Sequence, residues 1–271
     1  MMPWPRFCLL GQFLFPIAKG TIHGTISLMK IQLETIPVWD GIHSNSECYI
    51  CDLMAEAQKD AISFYLGSSV MNPETRVRVN EHGFCYKHSQ MLVAANKSQG
   101  VALMTDTYLA MTRVKFERSF NELLGAKSPK LAKKAIEHFS DDLEKREAGC
   151  LICSSMQDRL LRYYYTTAYL WGEDTEFREA FSESKGFCLH HFQGLLQQSK
   201  EALLASVQPE FVRALTQLEL ANLDRIAKDV YWMTQKYKSE NMDKPWNGCE
   251  DAHKRGMNKM TGRHRVIDPL H

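Results

Sequence analysis

From Ser44 onward the apolar residues recur every three or four positions, and sustained alternation of apolar and polar residues is absent, so the pattern predicts helices rather than strands. Ile50, Met54, Ala57, Ala61 and Phe64 trace the first such stripe, and Ser44 with Glu47 three residues later reads as a capping box opening that helix. Residues 67–80, with Pro73 and the run Arg76 to Val79, read as an irregular return loop containing a short extended piece. Further helices are expected after Gly83 and over 101–124, 130–147, 151–170, 187–204 and 209–237. In the last of these, Phe211, Leu215, Leu218, Ile226, Val230, Met233 and Tyr237 form a stripe interrupted at Asn222. That break disfavours a coiled-coil seam and favours core packing. A turn at residues 243–252 leads to a short basic helix and a polar tail. The fold expected is an all-α bundle.

Composition adds limits. Of 271 residues, 44% are hydrophobic and 24% charged, the balance of a folded globular chain. Thirty-three basic residues against thirty-two acidic ones leave a formal charge of +1, so no global field points to nucleic acid or anionic lipid. Phe7 to Phe15 is apolar, but Gly11, Gln12 and Pro16 interrupt it and it is too short to span a membrane, which takes about 20 residues. Residues 1–28 are therefore expected to be a dispensable or disordered extension ahead of a start at Met29.

The chemistry lies in an internal duplication. Cys48-Tyr-Ile-Cys51 is followed by Gly83-Phe-Cys85-Tyr-Lys-His88, and Cys150-Leu-Ile-Cys153 by Gly186-Phe-Cys188-Leu-His-His191. Cys51 precedes Cys85 by 34 residues and Cys153 precedes Cys188 by 35, so six of the eight cysteines fall into two copies of one pattern. Residues at i and i+3 of a first helical turn project to one side, and two such turns complete a tetrahedron. Three thiolates and an imidazole suit zinc, with bonds of about 2.3 Å to sulfur and about 2.0 Å to nitrogen. Pairing within each copy gives Cys48, Cys51, Cys85 and His88 as one site and Cys150, Cys153, Cys188 and His191 as the other, with His190 as an alternative ligand. Helix starts favour thiolate through their free N–H groups and dipole.

The expected cofactor is two zinc ions in structural sites; an iron–sulfur cluster and a dithiol redox site are the alternatives. The expected organisation is an extension (1–28), a first repeat (29–125), a second repeat (126–205), a long packing helix (206–240) and a tail (241–271). His43, His82, His138 and His253 read as surface or capping groups, Cys8 and Cys249 as free thiols, Tyr163 to Tyr165 as split between core and surface, and the lysines at 127, 130, 133 and 134 as a solvated face. No phosphate loop, HExxH or nucleophile elbow occurs.

Met29-Lys-Ile-Gln-Leu-Glu-Thr-Ile-Pro-Val-Trp-Asp, Phe64-Tyr-Leu-Gly with Met71-Asn-Pro-Glu, Asn80-Glu-His-Gly-Phe-Cys, Gly186-Phe-Cys-Leu-His-His and Asp243-Lys-Pro-Trp-Asn together give a chain that resembles a bacterial family catalogued as domain of unknown function 6062. The resemblance spans about residues 29–262. It implies a cytoplasmic protein beginning at a methionine matching Met29, and it brings no activity with it. The resulting expectation is a zinc-stabilised cytoplasmic binding or adaptor module with a protein partner and no catalytic residues, the redox or oxygen-sensing reading being the alternative and an enzyme with an unlocated site a third. Neither nucleic acid nor membrane is expected as a partner.

Overall fold

The computed structural model describes residues 25–262, with side chains from Glu34 onward. The expectations for residues 1–24, Cys8 among them, and for residues 263–271 lie outside the described residues. Eleven α-helices and two short 3-10 turns make up the described chain, and no strand occurs in it. The helices are α1 (Thr25–Ile42), α2 (Tyr49–Tyr65), α3 (Pro73–His82), α4 (Tyr86–Ala94), α5 (Ser98–Leu124), α6 (Pro129–Glu147), α7 (Leu151–Glu173), α8 (Thr175–Glu183), α9 (Leu189–Ala202), α10 (Gln208–Lys236) and α11 (Ala252–Thr261).

The centre of the molecule is the antiparallel pair α2 and α7. Tyr49, at the start of α2, shares a 2.7 Å hydrogen bond between its hydroxyl and that of Thr167 late in α7. Asp60 meets Arg159 at 3.2 Å. Leu151 and Ile152 at the start of α7 pack with Ile62, Tyr65 and Leu66 at the end of α2. The larger core gathers the other end, where Tyr49 and Ile50 join Tyr164, Trp171, Phe177, Phe181, Phe187, Leu195, Phe211 and Leu215. Helices α1 and α9 flank α7, and Arg162 of α7 holds the buried Glu34 of α1 at 2.7 Å. Helix α10 buries Phe211, Leu215, Leu218 and Ile226 of the predicted stripe, while Val230 and Met233 are half-buried and Tyr237 is exposed. Asn222 fits among them because its amide donates to the Leu218 carbonyl at 3.0 Å.

Two local expectations are corrected. The segment 67–80 is not an irregular loop with an extended piece: it is a 3-10 turn (Ser68–Met71) followed by α3. The Asn72 carboxamide accepts from the N–H groups of Glu74 and Thr75, and Pro73 occupies the first helical turn, so the valines at 77 and 79 sit in a capped helix. Ser44 opens no helix. Its hydroxyl donates to the Gly41 carbonyl at 2.6 Å at the end of α1, while α2 begins at Tyr49 with Cys48 as its cap residue. Helix α1, which precedes the stretch read from the sequence, runs through Pro37.

Candidate metal centres

All four cysteine-bearing motifs end a loop and open a helix in the same way. Cys48, Cys85, Cys150 and Cys188 are the cap residues of α2, α4, α7 and α9, each with extended backbone. Their partners Cys51, His88, Cys153 and His191 stand three residues on, in the first turn. The positions are those of a capping box, but only at Cys150 does the cap side chain accept from the third residue's N–H, at 3.4 Å from Cys153. Gly83 and Gly186 precede two of these starts with φ of +62° and +72°. Such values suit glycine, and a Cβ at either position would also collide, with the Tyr108 hydroxyl in the first case and with the Glu219 carboxylate in the second.

The pairing differs from the expected one. Neither copy closes a site alone: Cys48 and Cys51 of the first meet Cys188 and His191 of the second, and Cys85 and His88 of the first meet Cys150 and Cys153 of the second. The cause is the antiparallel packing of α2 on α7, which carries the start of α2 away from α4 and towards the start of α9. His190, the alternative ligand, is exposed, whereas the His191 ring is buried and turned to the sulfurs.

In each group the possible ligand atoms all lie within 4.8 Å of one another. At the first, His191 Nδ1 lies 3.3 Å from Cys48 Sγ, 3.5 Å from Cys51 Sγ and 3.4 Å from Cys188 Sγ. Cys51 and Cys188 sulfurs are 3.8 Å apart. At the second, His88 Nδ1 lies 3.3 Å from each of Cys85, Cys150 and Cys153, and the Cys85 and Cys153 sulfurs are 3.7 Å apart. A tetrahedron with arms of zinc–thiolate and zinc–imidazole length has edges of about 3.8 Å between sulfurs and about 3.5 Å from sulfur to nitrogen. Both groups fit a single tetrahedral ion.

The thiols interact so strongly that they cannot ionise independently. At the first group, burial pushes the Cys48 thiol up, while hydrogen bonds from Cys48 and Cys51 hold Cys188 well below the usual thiol range. At the second, the hydrogen bond from Cys153 holds Cys150 down at about 3, and Cys153 is driven up in turn. One thiolate per group is favourable and a second repels it. A divalent cation removes that repulsion and allows all three.

The two groups differ in their surroundings. The first is closed in, with Cys48, Cys51, Cys188 and His191 all buried. A cavity of about 160 Å³ beside its sulfurs is lined by Ser46, Glu47, Asn258 and Lys259. Gly262, just past α11, covers it: a Cβ there would stand 3.7 Å from Cys188 Sγ and 3.9 Å from Cys51 Sγ. The Lys259 ammonium is buried and donates to the carbonyls of Lys185 at 2.7 Å and Glu47 at 3.3 Å, placing a positive charge near the thiolates. Glu219 accepts from the Phe187 N–H at 3.0 Å and so fixes the Gly-Phe-Cys turn; burial pushes its carboxyl up, and Lys259 pulls it back. The second group is open, with Cys153 exposed and Cys85 and Cys150 half-buried.

Gln58, Glu219, Lys259 and Gly262 were not singled out in the sequence. Gln58 lies 2.9 Å from His88 Nε2, the ring nitrogen turned away from the sulfurs. With Nδ1 on an ion, Nε2 carries the proton, and the amide of Gln58 must turn its oxygen to accept it. Its counterpart in the second copy is Leu160, so the repeat gives no signal for it. Behind His191 lies Tyr164, edge-on with ring centroids 5.9 Å apart.

No curated protein and no solved structure matches the chain. A family signature does match, over residues 29–266, and the chain belongs to the family of unknown function DUF6062.

Proposed function

We propose that the protein is a zinc-stabilised helical scaffold in which two single-ion Cys3His sites rivet its halves together, and that it works by presenting its surface to a protein partner. The observation that carries this reading is the set of ligand distances, which match the edges of one tetrahedron at each site. Cys48, Cys51, Cys188 and His191 would hold one ion, and Cys85, His88, Cys150 and Cys153 the other. Zinc supplies charge neutralisation and a fixed four-way junction. Four protein ligands leave no position for a substrate, which favours a structural over a catalytic role. A compartment that keeps thiols reduced, the cytoplasm, suits this chemistry. No helix among the described residues is long and apolar enough to cross a membrane.

Elemental analysis of protein purified with and without oxygen tests the reading. Two equivalents of zinc are expected in both preparations, and less than one equivalent of any metal in both would overturn it. A second reading, thiol-based or iron-based redox sensing, draws on the exposure of Cys153. Ligands of a multi-iron cluster bind different irons and stand further apart than ligands sharing one ion, so the spacing favours the single ion. A visible absorption band that bleaches on reduction or oxidation would establish the redox reading instead.

A further inference from the structure

Helices α5 and α6 form an antiparallel arm, and one side of it is apolar without a partner among the described residues. The arm is held together by Phe116, Phe120 and Phe139, by the Ser119 hydroxyl donating to Asp142, by His138 against Glu122 at 2.8 Å, and by Arg146 donating to Thr112 at 2.7 Å. At about 100° per residue, Leu109, Phe120 and Leu124 share one flank of the buried stripe of α5. Ile136 and Leu143 share one flank of the buried stripe of α6. Because the two helices run in opposite directions, these flanks lie on the same side of the arm. The five side chains are 63%, 43%, 85%, 57% and 36% exposed, an apolar face crossed by the exposed Arg113 and Ser140.

On the side of α6 that carries Ile136 and Leu143, charge is graded. Lys130 and Lys133, with Lys127 just before the helix, crowd the tip and Glu144 and Glu147 stand near the base, all exposed, while Lys145 falls on the opposite side and Arg146 turns to Thr112 of α5. We propose that this face receives a second copy of the same chain, the two arms packing antiparallel with α6 over α6, so that tip lysines of one arm meet base glutamates of the other. The charge gradient is self-complementary only in that orientation; a parallel pairing would set lysines against lysines. From Leu109 to Leu124 the face is about 23 Å long, and two helices give it a width of about 20 Å. With side-chain relief this approaches the roughly 600 Å² per partner of the smallest standard interfaces, enough for a dimer in the micromolar range.

Sedimentation equilibrium of the full metal-loaded chain from about 1 to about 200 μM tests this. The expected result is a monomer–dimer equilibrium with a midpoint in the tens of micromolar. Leu124→Glu with Ile136→Glu should weaken it at least tenfold while circular dichroism stays unchanged, since both side chains are already in solvent. Lys133→Glu should weaken it several-fold, and adding Glu144→Lys in the same chain should restore it. A monomer at every concentration overturns the proposal, as does a dimer indifferent to both sets of substitutions.

Discussion

At the scale of single residues, the two histidines would link the helix starts to an ion, and His88 shows how its ring is held. Its Nδ1 faces three sulfurs at 3.3 Å while the Gln58 side-chain amide stands 2.9 Å from its Nε2, so the amide orients the ring and, turned to present its oxygen, would accept the Nε2 proton when Nδ1 holds an ion. Loss of such a partner typically costs 10- to 100-fold in metal affinity. Gln58→Met, which keeps the buried volume, should therefore weaken zinc at the open site by about that factor in a chelator competition and leave the closed site unchanged. Removing a sulfur acts through burial. Cys188→Ser should retain one equivalent of zinc and lower the thermal midpoint by about 10–15 °C, because an unpaired polar group and two uncompensated thiols are left in the core. Cys153→Ser should also retain one equivalent, but its exposed position lets water replace the lost ligand, so the midpoint falls by only a few degrees, about 2–5 °C. Equal shifts in the two variants would mean that burial does not govern the sites. The eight residues that the fold gathers into two Cys3His groups all lie in the duplicated spacing. Gln58 was not, because a glutamine ten residues beyond Cys48 carries no mark of its role until α4 is docked against α2.

Among the elements, the α5–α6 arm allows a test that does not involve metal. Ser119, buried on α5, donates to Asp142 on α6 and holds that carboxyl below its ordinary value, and Arg118 with His138 does the same for Glu122. A carboxyl with a lowered folded value contributes stability above its unfolded value and loses it as pH falls through the folded value. The arm should thus loosen below about pH 4, while neutral and mildly alkaline conditions leave it intact. Ser119→Ala should return the Asp142 titration towards the ordinary carboxylate range in a carboxyl-resolved NMR titration; an unmoved titration would remove the hydrogen bond as its cause. Helices at this level were readable where the helical period was sustained, as in α6, α7 and, despite the break at Asn222, α10. Elsewhere short-range signals competed. The cluster of β-branched and charged residues in α3 looked extended although Asn72 and Pro73 supply a cap and a first turn. Ser44 and Glu47 matched a capping box by spacing alone, yet tertiary packing gave the cap position to Cys48 and sent Glu47 to Arg225 at 2.5 Å.

Across the whole molecule, the exchange of ligands between halves decides how it should come apart. Each ion would tie a helix start from residues before 125 to one from residues after 126, so neither half can close a site without the other. The sequence could not disclose this, since both copies carry both motifs and either pairing satisfies the same coordination; only the antiparallel docking of α2 on α7 chooses. Unequal burial then sets the order of loss. A chelator reaches the open site past the exposed Cys153 without unfolding, but the closed site only when α11 and Gly262 lift from its sulfurs. Stepwise chelation should release the first equivalent of zinc rapidly, with amide exchange rising in α4 and the start of α7 and the helix content nearly unchanged. The second equivalent should leave slowly and together with the large core, exposing α2, α9 and α10 in one cooperative step, because Cys48, Cys51 and Cys188 are members of that core. Lys259→Met should accelerate the second step alone, as the buried ammonium that binds α11 to the Lys185 and Glu47 carbonyls also lines the cavity beside the closed site's sulfurs. Simultaneous release of both equivalents, or loss of the closed site first, would show that the ions do not act as separate rivets of unequal depth.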